Sequence, residues 1–407
     1  MAQLAQLSVR GRTILRPTFI VDGIADEAST GYEIVIDDGL ISDVRTVGPG
    51  IVPDARVIEL PGTTALAGLI DCHVHYTIDA ARPDGIEQGA FDPPERAVLI
   101  GARNARRALR SGVTTARSAG ASRSLDIALS SAIERGDVPG PRLLASGAAI
   151  TITGGHGRPF GIEVDGIEDM VTTVRALARD GAQVIKLVAS EAAMLTTNVA
   201  GVQELTELEM SAMVAEARRL RRPVLAHAQN SSAVIAASRA GVSSVEHAFL
   251  ADDGALAVLK ESGAFLTPTL TVTDVYSTRA GLSTAQQRRQ ADLSAAHRRS
   301  CQLAIRLAIP LVAGTDCGVP GIFPDMLARE IALLHDHGLT PIEAIRAATV
   351  NAARLLGIDD QVATITVGKR ADILIVADDP LRDLSALSRP RLVLQGGRIV
   401  HVAQPVG

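Results

Sequence analysis

Six residues of this 407-residue chain stand out by type and position: His73, His75, Lys186, His227, His247 and Asp316. Four imidazoles and a carboxylate are donors that suit hard or borderline divalent cations. Each residue stands within or at the end of an apolar run: GLIDCHVH, VIKLVAS, VLAHAQ, SVEHAF or AGTDCG. His73 and His75 are two apart, and in a strand such residues face the same way, so both rings can grip one ion. His335 and His337 have the same spacing but end a helical run before Gly338. There residues two apart diverge by roughly 200°, and a surface pair at a helix C-terminus is the better reading.

Lys186 is the odd member. A lysine in an apolar strand usually snorkels or pairs with an acid. Two histidines ending the next two strands favour another reading. A desolvated, neutral amine adds CO₂ to give a carbamate whose oxygens can bridge two cations, and the cations offset the cost of burial. His227 and His247 are one strand–helix unit apart; either alone would be read as a hydrogen-bonded core histidine. His156 lies on a glycine-rich stretch, TITGGHG. Alternation turns Cys72 and Cys317 away from the ligand side, so both read as small core residues. His297, His335, His337 and His401 receive no role.

The elements that must position these residues alternate between strand and helix. Eight Val/Ile/Leu-rich runs lie between about residues 64 and 320, and all but one are clearly followed by a helix-like stretch. Thr206 with Glu209 forms a capping box, and Thr340-Pro341-Ile342-Glu343 combines cap, first-turn proline and glutamate. A (β/α)₈ barrel needs about 250 residues and places reactive groups at the C-terminal ends of its strands. A doubly wound sheet is the rival, but no G-x-G-x-x-G follows a strand. Both chain ends are β-rich, with RTILRPTFIV and YEIVIDDGLISDVRTV at one and VATITVG, ADILIVA and RLVLQGGRIVHVA at the other. The expected architecture is therefore α/β: a TIM-like barrel over 64–362 and a small β-sandwich built from 1–63 and 363–407.

Composition excludes several function classes. Forty basic against forty-five acidic residues gives −5, so neither nucleic acid nor an anionic membrane is an expected partner. Aromatics are 2% with no Trp, which leaves little for base stacking. Three cysteines without CxxC spacing argue against a disulfide scaffold or thiolate zinc and fit a reducing cytoplasm. No apolar run is long enough for a signal peptide or a membrane span. A cytoplasmic homo-oligomer acting on a small molecule is expected.

Together, GLIDCHVH, SGVTTARSAG, TITGGHG, VIKLVAS, VLAHAQ, SVEHAF, AGTDCG, IEAIRAATVNAARLLG and VGKRADILIV resemble the amidohydrolase superfamily, in its imidazolonepropionase-like and prolidase-like branch. The resemblance runs nearly end to end. It implies a hydrolase of amide-type C–N bonds that uses a metal-bridging hydroxide. His73, His75 and Asp316 would hold one ion, His227 and His247 a second, and carboxylated Lys186 would bridge them. Zn²⁺ suits these donors, with Mn²⁺ or Co²⁺ as alternatives. Asp316 would move protons and His156 would stabilise the oxyanion. Tyr76 and Gln229 are candidate substrate contacts, and Phe160, Val272 and Phe323 candidate pocket walls.

Gln229 stands where related dipeptidases often carry Tyr or His, Ser118 where an acid is frequent, and ASEAAM where a Gly-rich stretch is common. Dipeptides or N-acyl amino acids lead as substrates, ahead of cyclic amides and xenobiotic aryl amides or carbamates. A catalytically silent barrel scaffold is the non-enzyme rival.

Overall fold

Strands from the two ends of the chain pair with each other. The computed structural model describes residues 11–48, 54–89, 91–192, 201–279, 281 and 283–403. Ala55–Ala67 is the hub of an eight-stranded mixed sheet. It pairs in parallel with Arg12–Val21 and antiparallel with Ile373–Ala377. Tyr32–Asp37 and Leu40–Thr46 extend one side, and Pro390–Gln395 and Arg398–Val402 the other. The hairpins turn at Asp38-Gly39 and Gly396-Gly397, whose four positive φ values match the right-handed strand twist. Side chains such as Ile34, Ile36, Ala65, Ile373 and Ile375 form its own apolar cluster. The expected strand at VATITVG does not form. Residues 361–369 make bends and turns instead, and Ala363 holds a φ of 75°, incompatible with a ladder.

Between the ends, strands and helices alternate as expected, and every strand pair is parallel. One sheet joins Leu69–Val74, Val113–Ser118 and Arg142–Leu144. A second joins Gly161–Glu163, Ala149–Thr151, Ile185–Val188, Val224–Asn230, Ser244–Leu250 and Phe265–Thr267, in that order. Apart from the edge strand Gly161–Glu163, both are largely buried on two faces, which explains their continuous apolar runs. PLVAGTDCG forms no regular ladder. It is tied to both sheets by backbone bonds: Leu266 N–H donates to Pro310 O, Cys72 N–H to Ala313 O and His75 N–H to Cys317 O. The third strand region is split by residues 145–148, where Gly147 has a φ of 71°.

The terminal sheet is fastened to the first parallel sheet. Gly68 N–H donates to Asp372 O, and Gln395 Nε2 donates to Thr114 O. Among the described residues no helix is long and apolar enough to cross a membrane.

The helix starts follow the sequence signals. Glu207–Arg219 begins with the reciprocal Thr206/Glu209 box, and Pro341–Ala347 with the Thr340/Glu343 box. The latter helix matters to the site, because its end supplies Ala347 O to Ala313 N–H and is followed by Ala348 O to Ile70 N–H. Replacing Thr340 by Ala should lower unfolding stability by about 1 kcal/mol, read from the urea midpoint.

Candidate metal centre

All six residues singled out by type line one cavity, together with His156, Gln229, Phe160 and Val272. Lys186 rises from Ile185–Val188, His227 from Val224–Asn230 and His247 from Ser244–Leu250, three adjacent parallel strands. His73 and His75 come from the end of Leu69–Val74, with Asp316 beside them from the tethered segment. Ring centroids lie 5.4 Å apart for His73 and His75, 5.0 Å for His73 and His247, and 4.6 Å for His227 and His247. His156 stands 4.6 Å from His227.

The segment carrying Asp316 is placed by contacts that need particular residues. Buried Asp71 accepts from Thr315 N–H at 3.0 Å, Thr315 Oγ1 at 2.7 Å and His73 N–H at 3.2 Å. Gly314 runs so close that a Cβ there would lie 2.8 Å from His73 Cβ and 2.5 Å from Thr267 Cγ2. Asp316 and His247 both hold left-handed φ angles, 60° and 76°. Such conformations cost energy in non-glycine residues and persist where packing over-determines them.

Three histidines have their tautomers set from behind. His73 Nδ1–H donates to Glu246 Oε2 at 2.7 Å, and His75 Nδ1–H to Gly120 O at 2.9 Å. His247 Nδ1–H donates to Thr269 Oγ1 at 2.8 Å, a hydroxyl that itself donates to Pro268 O. Each Nε2 is left with its lone pair for the cavity, as in metal-ligating histidines. His73 Nε2 and His75 Nε2 lie 3.5 and 3.3 Å from Asp316 Oδ1. One ligand atom from each of these three lies within 4.8 Å of the others. Lys186 Nζ and His227 Nε2 are buried without a hydrogen-bond partner. Orphaned buried polar atoms are costly, and cations or a carbamate would satisfy them.

The electrostatics agree with a donor cage. Burial, reinforced by the Lys186 charge, pushes His73 and His156 down to about 4. Burial and neighbouring imidazoles push His227 and His247 well below the usual range. Neutral imidazoles are the form that ligates metal. Burial lowers Lys186 to about 8, against the pull of Glu246 and Asp316. Asp316 stays well below the ordinary carboxylate range because His73, His75 and Lys186 together outweigh its burial.

Not every expected contact lines the cavity. Tyr76 packs in the apolar core among residues such as Leu129 and Cys317. Phe323 instead lies under the Arg107 guanidinium, 4.5 Å from its ring centroid. His335 and His337 lie outside the cavity and bond to Leu339 O and Leu333 O; His337 is buried rather than on the surface. Cys72 and Cys317 are buried in apolar clusters, as expected.

Two residues that sequence reasoning passed over hold the site from below. Arg117 and Glu246 are buried, and Arg117 Nη2 donates to both Glu246 oxygens at 2.9 and 3.0 Å. Arg117 also donates to Cys72 O at 2.6 Å and Ser244 Oγ at 2.8 Å. Strict strand alternation turns residue 246 away from the side of His247. The left-handed φ of His247 breaks that alternation, so both consecutive residues address His73. The available signal was the charge itself: an Arg in GVTTARSAG and a Glu in SVEHAF, each inside an apolar strand.

Comparison with known proteins places this arrangement. The amidohydrolase family pattern matches residues 64–400. The chain belongs to the amidohydrolase family. It is 29% identical over 365 residues to ochratoxinase of Aspergillus niger, covering 82% of this chain and 75% of that one. The fold superposes on a Xaa-Pro dipeptidase with bound methionine at a TM-score of 0.86, with 27% identity over 95% and 99% of the two chains. A prolidase complexed with N-methylphosphonate-L-proline gives 0.85, with 29% identity over 96% and 100%. This amidohydrolase is a metal-dependent enzyme that hydrolyses amide-type C–N bonds.

In it, replacing Glu246 by Gln should leave the buried Arg117 charge unpaired. The expected loss is about 3–5 kcal/mol of stability, measured by denaturant unfolding. A loss below about 1 kcal/mol would show that Arg117 finds another acceptor.

Proposed function

We propose that the chain binds two divalent cations, most suitably Zn²⁺, and hydrolyses dipeptides or N-acyl amino acids. The observation that carries the two-ion reading is the pair of orphaned buried atoms, Lys186 Nζ and His227 Nε2, in a cavity already holding a His73–His75–Asp316 cluster. His73, His75 and Asp316 would hold one ion, His227 and His247 the other, and Lys186 as its carbamate would span both. The substrate class rests on the prolidase, Xaa-Pro dipeptidase and ochratoxinase likenesses. The parallel strands and residues 310–317 are read as one closed (β/α)₈ barrel over 64–362. Residues 1–63 and 363–407 are read as the accompanying small β domain.

Bound divalent ions lower the pKa of coordinated water towards neutrality and polarise a carbonyl. Asp316, kept anionic by its surroundings, accepts the proton of the attacking water and returns it to the leaving nitrogen. His156, neutral at pH 7, presents an N–H to the carbonyl oxygen as charge develops there. The apolar walls exclude water and strengthen both interactions.

A second reading has one specific support: among the described residues, only His73, His75 and Asp316 offer ligand atoms within 4.8 Å of one another. It is a one-ion site of the imidazolonepropionase type. Elemental analysis separates the two, with close to two ions per chain expected and activity lost on chelation. Lys186→Ala should lose ions and most turnover, with partial recovery by short carboxylic acids. One ion at full activity would establish the second reading.

Asp316→Asn keeps an oxygen donor but takes up no proton at neutral pH, and should lower kcat by roughly 10². His156→Asn should lower kcat by roughly 10² with metal content unchanged. Loss of metal in the His156 variant would show it to be a ligand.

A further inference from the structure

The cavity wall away from the imidazole cluster is apolar: Ile78, Ile86, Phe160, Phe249, Val272 and Val319. Among the described residues that line it, Lys186 is the only lysine or arginine, and that amine faces the cage. A substrate carboxylate seated against these walls would be desolvated without a counter-charge, which is costly. Gln229 lines the cavity too, but it is neutral. A free carboxylate therefore has to be met at the mouth.

A cation, Arg279, lies against one residue of the wall. Tyr276, half-buried, lines the cavity from the helix Leu270–Ser277. The Arg279 guanidinium carbon lies 5.3 Å from the centroid of that ring. Arg279 is exposed and has no acidic partner within ion-pair distance among the described residues. Burial raises the Tyr276 hydroxyl, Arg279 opposes this, and Asp316 and Glu87 add to the rise. The same phenol is thus within electrostatic range of the cage carboxylate and of the rim arginine. Stacking on the ring and a hydrogen bond to the Tyr276 hydroxyl limit the orientations of the guanidinium while leaving further N–H groups for a carboxylate. Glu87, exposed on the short helix Gly85–Gly89, is the opposing charge at this mouth.

We propose that Arg279, held on Tyr276, is a specificity-determining residue that binds the free carboxylate of an amide substrate whose apolar body fills the cavity. This rests on the amide-hydrolase reading of the same cavity and adds the substrate's shape: an aromatic or aliphatic amide with one carboxylate directed outward. A carboxylate anchored at the rim steadies the amide bond against the cage, so its effect falls on binding rather than on the chemical step.

The test uses two amides that differ only in the carboxylate, N-benzoyl-L-phenylalanine and N-(2-phenylethyl)benzamide, with the metal-loaded enzyme. Arg279→Met should lower kcat/KM for the acid at least tenfold more than for the neutral amide, through KM, and Arg279→Lys should recover part of the loss. An equal effect on both amides, no effect, or a fall in kcat alone would overturn the assignment. If the wild type turns over neither amide, the N-acyl amino acid reading of the substrate is what fails. Calorimetric binding of N-benzoyl-L-phenylalanine then decides the role of Arg279. At least tenfold weaker binding in the Met variant supports it, and equal binding overturns it.

Discussion

The site depends on one buried chain of charge: Arg117 to Glu246 to His73. An isolated carboxylate at this depth would be protonated, and an isolated guanidinium would not be tolerated. Paired, they hold Glu246 down to about 2 against its burial, so that it accepts the His73 Nδ1–H as an anion. That bond makes Nε2 of His73 the free lone pair. Arg117 spans the molecule at this level, because Cys72 O, Ser244 Oγ and Glu246 belong to two different parallel sheets. Its bonds therefore set the distance between the two halves of the site as well as the charge of one carboxylate.

A similar logic governs the opposite side. Asp71 clamps Thr315 and the backbone of His73, and Gly314 lets the segment lie against that histidine. The strained backbone at Asp316 follows directly on the clamped Thr315. Lost flexibility here costs nothing in function, since rigid placement is what a ligand cage requires. Stability elsewhere is cheaper: helix caps such as Thr206 and Thr340 are local and independent of the cage.

Much of this was legible in the residues. Alternating apolar runs marked the parallel strands, and ligand-type residues at strand ends marked the cavity. His73-x-His75 and His335-x-His337 were separable because element context decides where residues two apart point. What was not legible came from breaks in regular geometry. The positive φ of His247 brings Glu246 to the site against alternation, and VATITVG has a strand's composition but takes up turns. Tyr76 follows His75 in sequence yet packs in the core, since the chain bends as it leaves the strand. Arg279 stands outside every motif; its place at the mouth depends on the short helix that carries Tyr276.

The charge balance of the cavity explains why the cage is built from such residues. Five imidazoles, one amine and one carboxylate face a mostly apolar cavity. Protonating His227 would put a charge beside His247 and His156, both with ring centroids 4.6 Å away. Like charges at such separations are repelled strongly where little water screens them. His73, His156, His227 and His247 therefore stay neutral and keep their lone pairs. Lys186, with only Glu246 and Asp316 to offset burial, gives up its proton far more readily than a surface lysine. Burial thus makes this lysine chemically available. A neutral amine in such a place is a nucleophile for CO₂, and the resulting carbamate would supply the negative charge that the cage otherwise draws from Asp316 alone.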